Sequence, residues 1–544
     1  MKMAPRPAAT LILLRNGPGD PEVLMLERSK SSAFLGGAYV FPGGALEPQD
    51  SDACLFNRVL GLTDRQASVR LGLSSGGLAY YVAAVRECFE EAGVLFACDK
   101  QGSMISATKA EKLLLRRSQP FLELLNAEGL FIPGRLLAYF GHWVTPAGRP
   151  RRFDTRFFLG LEMPGQEGAH DEIETVHHAW LSPAQALARN DRGEIEVAFA
   201  TQQTLKGLAR FGEPQAAFAY AANLDEIPSN RVCQAQGKEG ARLFHSSDPQ
   251  YCEIQWSDPE ETGKTTYDLV PGVPRRLDRL VRRIIAPNPG AMTGPGTNTY
   301  LVGERDIGVI DPGPAISSHI ETILKEGKGS IRRILCTHTH MDHSPAAMAL
   351  KEATGAQVLG PPAPQGQDVT FKPDLVVENG QRIDLGGATL RAIHTPGHAS
   401  NHLCYLLEET RMLFTGDHVM QGSTVVINPP DGDMRAYLAS LEMLLAEDIA
   451  ILAPGHGYLI GSPHREIRRL IAHRLAREKK VTSVLARLGP ASVDELVPSV
   501  YDDVPARMHR WAARSLTAHL AKLVAENSVR ADDGRYTLVR PPKA

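Results

Sequence analysis

The stretch Thr337-His338-Thr339-His340-Met341-Asp342-His343 decides the predicted fold of the second half of the chain. It directly follows the strand-like run Ile334-Leu335-Cys336. In extended chain, residues two apart point to the same side, so His338 and His340 can bind one metal ion together. The spacing therefore predicts a metal site at the end of a strand.

Asp342 and His343 come at the turn into a predicted helix, residues 346–352, and would face a second metal position. Three further candidates each follow a glycine at the end of a later strand-like run: His398, Asp417 and His456. A carboxylate at position 417 can bridge two cations. Imidazole and carboxylate ligands without thiolate suit Zn²⁺, with Mn²⁺ or Fe²⁺ as alternatives. Three nearby histidines lack motif support and are expected to be structural: His394, His402 and His418.

Over about residues 278–460 these motifs resemble the metallo-β-lactamase superfamily. The resemblance implies an αβ/βα sandwich with two metals at one edge of its sheets, where they would lower the pKa of a shared water toward ~7. It implies that Asp417 bridges the metals, that Asp342 and Asp417 are catalytic, and that Asp311 supports the site from outside. The implied ligands are His338, His340 and His398 for the first metal, and Asp342, His343 and His456 for the second.

The substrate depends on the branch of that superfamily. The common class of true β-lactamases has cysteine where Asp417 stands, which disfavours antibiotic hydrolysis. Only 38 residues separate Asp417 from His456, too few for the inserted domain of the large RNA-processing branch. The loop at 288–300 resembles the lactamase-like endoribonucleases, which implies cleavage of single-stranded RNA. Glyoxalase II, which cleaves a thioester, has the same ligand set and is the neighbouring alternative.

A second motif, Arg86-Glu87-Cys88-Phe89-Glu90-Glu91-Ala92-Gly93-Val94, lies far upstream. A helix would stack Glu87, Glu90 and Glu91 on one face, where like charges repel unless a cation lies among them. Carboxylate oxygens suit Mg²⁺ or Mn²⁺, the ions that clamp a pyrophosphate. The alternative is a solvated helix with clustered acids.

Together with Phe41-Pro42-Gly43-Gly44 upstream, this motif resembles the Nudix box, and the likeness spans roughly residues 8–220. There are three departures: Asp50 replaces the first glutamate, Cys88 fills an aliphatic position, and 35 residues stand where the pattern has seven. A Nudix subgroup with coenzyme-A-type pyrophosphatases carries a long insertion at that point. The resemblance implies the following roles: cation binding by Glu87, Glu90, Glu91 and the Gly43 carbonyl, catalysis by Glu87, support by Arg86 and Asp50, and a remote base from Glu172 or Glu174.

Composition and charge describe an ordinary globular chain with a basic tail. The 544 residues carry 59 basic and 62 acidic side chains, but the segment 463–544 alone has a net charge of +7. No apolar run approaches the ~18 residues of a membrane span. Seven scattered cysteines, none in a Cys-x-x-Cys pair, indicate reduced thiols in a cytoplasmic protein.

These patterns predict an α/β multidomain chain. A Nudix-like α/β/α sandwich takes residues 1–225, a polar linker and lead-in 226–277, the metallo-β-lactamase-like domain 278–462, and a small α+β winged helix 463–544. The basic helix Arg465–Arg487 could steer RNA toward the metal site, or it could be a solvated packing face. A third interpretation makes the tail a dimerisation element, and the oligomeric state stays open.

The predicted function is a fusion of two metal-dependent hydrolases. The first would cleave a nucleotide or coenzyme A diphosphate with Mg²⁺ or Mn²⁺, and the second would cleave RNA or a thioester with two Zn²⁺, Mn²⁺ or Fe²⁺ ions. In the alternative, the Nudix-like domain senses a nucleotide or coenzyme A without cleaving it and regulates a glyoxalase II-like thioesterase.

Overall fold

Two compact units make up the part of the chain that the computed structural model describes, residues 4–539 apart from 32–34, 148, 150, 172–173 and 225. The first unit runs to Gln234 and includes Arg242–Ser246 and Glu261–Gly263. The second contains Ala235–Ala241, Ser247–Glu260 and the chain from Lys264 onward.

The first unit is built on a mixed sheet. The strands of this unit are β1 Arg6–Arg15, β2 Glu22–Arg28, β3 Ala38–Val40, β4 Gly43–Ala45, β5 Val59–Leu60, β6 Ile132–Pro133, β7 Ala138–Val144, β8 Phe153–Leu161, β9 Thr175–Leu181, β10 Glu196–Val197 and β11 Ser229–Arg231. Strands β5 and β6 form a separate pair, and the other nine belong to the mixed sheet. Its helices are α1 Ala53–Phe56, α2 Asp64–Leu71, α3 Gly77–Ala92, α4 Ala107–Leu114, α5 Phe121–Glu128, α6 Pro183–Asp191, α7 Phe199–Leu208 and α8 Pro214–Ala222.

Strand β1 shows why helices cover both faces of this sheet. The sheet order is β10-β3-β2-β1-β8-β7-β11, with β4 beside β1 and β9 beside β2. Leu11 and Leu13 belong to the hydrophobic cluster under α3, whereas Ile12 and Leu14 belong to the cluster under α7 and α8. A strand that is apolar on both sides needs cover on both sides. The α/β/α sandwich predicted for this segment is confirmed.

The second unit contains two large sheets besides the hairpin near its C-terminal end. In chain order, β11 is followed by β12 Cys233–Ala235, β13 Arg242–Phe244 and α9 Tyr251–Ser257. The strands that follow are β14 Arg275–Arg276, β15 Val281–Ile285, β16 Asn298–Val302, β17 Ile307–Ile310, β18 Ile331–Leu335, β19 Gln357–Gly360, β20 Leu375–Val376, β21 Arg382–Asp384, β22 Thr389–His394, β23 Leu403–Leu407, β24 Met412–Gly416 and β25 Ile451–Pro454. The helices are α10 Ser317–Gly327, α11 Ala346–Thr354 and α12 Met434–Leu444.

These strands form an αβ/βα sandwich. One sheet has the order β14-β15-β16-β17-β18-β19-β20 and the other β21-β22-β23-β24-β25. Tyr300 and Leu335 from the first sheet and Tyr405 and Phe414 from the second share one buried cluster between the sheets. Further clusters lie under α10 and α11 on one outer face and under α12 on the other. The sandwich predicted by resemblance is therefore confirmed.

The C-terminal segment has three helices and a hairpin, as predicted for a winged helix. They are α13 Pro463–Leu488, α14 Val493–Val500, α15 His509–Ala525, β26 Val529–Asp532 and β27 Arg535–Leu538. The hairpin turns at Asp533 (φ 45°) and Gly534 (φ 72°), the left-handed pair that a two-residue turn requires. No described helix has the length and apolar character needed to cross a bilayer.

The polar segment 226–277, predicted to be a linker and lead-in, contains regular elements. On α9 the Glu253 carboxylate is fully buried and receives a bidentate pair from Arg283, at 2.7 and 2.8 Å. Arg275 pairs with the same carboxylate, and the Leu459 amide donates to it at 2.9 Å. The polar composition of α9 therefore reflects a buried ion cluster rather than a solvated connection.

Replacing Glu253 with glutamine should destabilise the second unit by about 3–5 kcal/mol, because two buried arginines would lose their anionic partner. Urea unfolding should show one of two transitions at a lower midpoint. Glu304→Gln removes an exposed partner of Arg279 and should shift neither transition by more than ~1 kcal/mol. Equal effects of the two substitutions would contradict this account of the cluster.

Candidate functional site

The predicted metal ligands of the second unit lie where strands of its two sheets end. His338 and His340 follow β18, and His398 follows β22. Asp417 directly follows β24, and His456 comes two residues after β25. The structure brings all seven predicted ligands together as two neighbouring groups, in each of which the ligand atoms lie within 4.8 Å of one another.

Three imidazoles form the first group. His340 Nδ1 lies 2.9 Å from His338 Nε2 and 3.1 Å from His398 Nε2. The outer nitrogens have partners elsewhere: His338 Nδ1 lies 3.0 Å from Thr337 Oγ1, and His398 Nδ1 lies 2.8 Å from the Val426 carbonyl. A ring that donates from its outer nitrogen keeps a lone pair on the inner one. The inner nitrogens of this group can therefore bind a cation.

The second group combines two imidazoles with two carboxylates. His456 Nε2 lies 3.3 Å from both Asp342 Oδ2 and Asp417 Oδ1, and His343 Nε2 lies 3.5 Å from each of the same oxygens. The other oxygen of Asp417, Oδ2, lies 3.7 Å from His398 Nε2 in the first group. Asp417 thus stands between the groups, in the position of a bridging carboxylate.

Asp311 contacts this centre from behind, as the resemblance implied. Its Oδ2 lies 3.0 Å from His343 Nδ1, and its two oxygens accept from the Thr337 backbone amide and hydroxyl at 2.8 and 2.9 Å. Asp311 adopts a positive φ of 49°, an uncommon conformation for a residue other than glycine. One carboxylate therefore orients His343 and fixes the start of the histidine-rich stretch.

The charges and unmet hydrogen bonds of these side chains fit bound cations. His343 Nε2, His456 Nε2 and Asp417 Oδ1 are buried without a hydrogen-bond partner, although buried polar atoms are rarely left so. Burial lowers the pKa of His338 well below its usual value, and burial with His398 lowers that of His340 to about 4. Burial opposes a charge on His456, but the negative charges of Asp417 and Asp342 raise its pKa to about 9, and a cation bound there would take the place of that proton.

Two of the histidines expected to be structural lie directly behind the centre. The His402 ring stacks on that of His338 with centroids 5.1 Å apart, and the His418 ring follows at 5.7 Å from His402. Both are fully buried, whereas His394 is exposed.

Sequence reasoning missed the Val426 carbonyl because a backbone acceptor has no residue signature. The repeated threonine in Thr337-His338-Thr339-His340 is the signal that could have indicated the role of Thr337.

In the first unit, Arg86 forms ion pairs with three of the predicted Nudix residues. Its guanidinium forms a bidentate pair with the fully buried Asp50, at 2.8 and 2.9 Å. Its Nη1 lies 2.9 Å from Glu87 Oε1 and 2.8 Å from Glu90 Oε2. The departure at position 50 is thus accommodated, and the 35 residues between Asp50 and Arg86 fold into α1, β5, α2 and the start of α3.

Glu91 is the third carboxylate, and it is buried against Gly43. The Gly43 amide donates to Glu91 Oε2 at 2.9 Å, and the cation binding that the resemblance implied for the Gly43 carbonyl stays a prediction. Burial and the neighbouring Glu87 raise the pKa of Glu91 to about 8, and burial, opposed by Arg86, raises that of Glu87 to about 7. A divalent cation beside them would offset the repulsion between these carboxylates and favour their ionised form.

Arg28 connects this face to a candidate remote base. Its two terminal nitrogens lie 3.7 Å from Glu91 Oε1 and 3.5 Å from Glu174 Oε2. Glu174 is therefore near the carboxylate helix, whereas Glu172 lies outside the described residues. Within the described ranges, only the histidine-rich centre holds three or more metal-type ligand atoms within 4.8 Å.

Comparison with known proteins agrees with the two folds. Residues 292–456 match the metallo-beta-lactamase superfamily, residues 64–206 the NUDT19 Nudix domain and residues 492–536 the beta-lactamase associated winged helix domain. An αβ/βα sandwich with paired histidine–carboxylate groups at its strand ends defines a metallo-β-lactamase-fold hydrolase. The chain belongs to the metallo-beta-lactamase superfamily, and it carries a Nudix domain before that fold and a winged helix after it.

Several named proteins are similar to parts of the chain. Thioesterase pkgB of Emericella nidulans is 36% identical over 43% of this chain and 68% of its own length. Atrochrysone carboxyl ACP thioesterase of Aspergillus chevalieri is 34% identical over 50% of this chain and 90% of its own length. The crystal structure of a NUDIX hydrolase from Alicyclobacillus acidocaldarius is 30% identical, with 40% of this chain and 97% of that one covered and a TM-score of 0.34. Both families are metal-dependent.

Purified protein should contain close to two transition-metal ions per chain, one for each ligand group. His340→Ala should lower the content by about one ion, because it removes one of the three imidazole nitrogens that converge in the first group. Elemental analysis after dialysis measures the change. His394→Ala, an exposed histidine outside both groups, should keep the wild-type content. Equal metal content in all three proteins would refute the ligand assignment.

Proposed function

We propose that the histidine-rich centre binds two cations and hydrolyses a thioester. The position of Asp417 between the two ligand groups is the observation that carries the proposal. Two cations held there would activate a water at neutral pH and polarise the substrate carbonyl. Zn²⁺ is the ion that suits imidazole and carboxylate ligands best, with Mn²⁺ and Fe²⁺ next.

A thioester needs less acid catalysis from the side chains around the centre than a phosphodiester does. When water adds to a thioester carbonyl, the carbon–sulfur bond breaks and the sulfur leaves as a thiolate. A thiol has a pKa of ~8.5, so little help from an acid is needed at that step. Asp342, with 28% of its side chain exposed, is the carboxylate open to solvent and can take the proton of the attacking water. Two relatives that match part of the chain are named thioesterases.

The basic tail gives little support to RNA as the substrate. Arg474 and Arg477 are buried, and Arg477 is paired with Asp503 at 2.8 Å through both terminal nitrogens. Lys480 pairs with Asp502, and Arg469 with Glu466. Charges that are buried or paired within the protein contribute little to phosphate binding, so this helix offers RNA mainly its other basic residues, such as the exposed Arg468 and Lys479. RNA cleavage remains the second outcome that a substrate screen would detect.

For the Nudix domain we propose hydrolysis of a coenzyme A or nucleotide diphosphate with Mg²⁺ or Mn²⁺. Arg86 holds Glu87 and Glu90 on one face of α3, and Glu91 is buried beside them. Glu174, tied to Glu91 through Arg28, is the proposed remote base. An acyl-coenzyme A carries both a thioester and a diphosphate, so it is the substrate class that could serve both sites. A site that binds such a molecule without cleaving it is the competing proposal.

Two substitutions should separate the two activities on one acyl-coenzyme A. His340→Ala should lower thiol release by at least ~100-fold, because activation of the water is lost, while diphosphate cleavage continues. Glu90→Gln should lower diphosphate cleavage and leave thiol release unchanged. Thiol release is followed with a chromogenic disulfide, and diphosphate cleavage by chromatography of the products.

The control is the exposed His394→Ala, which should leave both rates at the wild-type value. Thiol release that survives in His340→Ala would reject the thioesterase proposal. Binding of coenzyme A to the wild-type protein with no diphosphate cleavage, in the presence of Mg²⁺ or Mn²⁺, would favour the sensor.

A further inference from the structure

A buried arginine of the C-terminal segment reaches the loop that holds one of the candidate ligands. Arg474, on α13, is only 3% exposed and donates from Nη2 to the Val425 carbonyl. The next carbonyl along the chain, that of Val426, accepts from His398 Nδ1 at 2.8 Å. Adjacent carbonyls of one short segment therefore bind Arg474 on one side and His398 on the other.

Arg474 also lies over the ring of Tyr437, a residue that contacts the chain neighbours of two candidate ligands. Its guanidinium carbon lies 5.4 Å from the centre of the Tyr437 ring on α12. The Tyr437 hydroxyl donates to the carbonyl of His418 at 3.0 Å, and His418 directly follows Asp417. At Gly397, which directly precedes His398, any side chain would collide with the Tyr437 backbone. Tyr437 thus contacts the residues that are adjacent in the chain to His398 and Asp417.

We propose that Arg474 is a positioning residue that holds His398 and Asp417 in place for cation binding. The first helix of the C-terminal segment, α13, would then contribute to the affinity of the metal centre. The inference rests on the proposed cation site. Partners of a ligand's outer nitrogen change metal affinity by about 10–100-fold in other metal sites. Arg474 acts one step further out, through the segment that supplies that partner.

Arg477 provides a matched control on the same helix. It too is buried, donates to a backbone carbonyl, that of Val500, and stacks on an aromatic ring, that of Tyr501, at 4.3 Å. Its contacts lie within the C-terminal segment and do not include the loop at Val425. Loss of either arginine weakens the packing of α13, but only the loss of Arg474 removes a support of His398.

The test compares Arg474→Gln, Arg474→Lys and Arg477→Gln in the full chain. Cation affinity is measured by competition of Zn²⁺ with a chromogenic chelator, and ligand geometry by the visible spectrum of the Co²⁺-substituted protein. Arg474→Gln should weaken the affinity for one ion by about 10-fold or more and alter the Co²⁺ spectrum. Arg474→Lys should restore part of both, since an ammonium group can also donate to Val425. Arg477→Gln should lower the melting temperature without changing either readout.

Wild-type affinity and spectrum in Arg474→Gln would overturn the inference, and so would an equal loss in Arg477→Gln, which would trace the effect to packing of the whole segment. A wild-type protein that binds no Zn²⁺ or Co²⁺ at all would instead overturn the proposed function, and the inference with it. The two failures are therefore distinguishable from the wild-type titration alone.

Discussion

The gathering of seven histidine and aspartate side chains at one edge of the sandwich is the constraint on which the rest of the second unit depends. Buried imidazole nitrogens and carboxylate oxygens without partners are costly in a folded protein. The surrounding structure therefore has to fix each ring from its outer side: the Val426 carbonyl for His398 and Asp311 for His343. A cation at each group would give the unpartnered nitrogens and oxygens a partner, so its binding would stabilise the folded protein.

The grouping of the seven candidate ligands could be predicted from the sequence because each stands in a short motif at the end of an apolar strand, and their binding of metal stays a prediction. The same holds for Asp50, which pairs with Arg86 although 35 residues lie between the two in the chain. What could not be predicted depends on burial, which composition does not record. Glu253 lies in a polar stretch and is buried, and Arg474 belongs to a basic run that suggests a solvated surface. Both make contacts with partners distant in sequence, so no local pattern indicates them.

The candidate sites of the two units differ in their ligand chemistry, as the two proposed reactions require. The first surrounds one arginine with carboxylates, which suits hard cations and phosphate oxygens. The second places imidazoles around a central carboxylate, which suits zinc-like cations and a carbonyl. These complementary sites on one chain support a substrate that contains both bonds, as an acyl-coenzyme A does.

The most direct test of the central claim is anomalous diffraction from crystals of the protein as purified, with data collected at the absorption edges of zinc, manganese and iron. The account predicts two anomalous peaks. One should lie among His338, His340 and His398, the other among Asp342, His343 and His456, and both should be in contact with Asp417. A single peak, no peak, or peaks away from Asp417 in metal-replete crystals would contradict a binuclear centre.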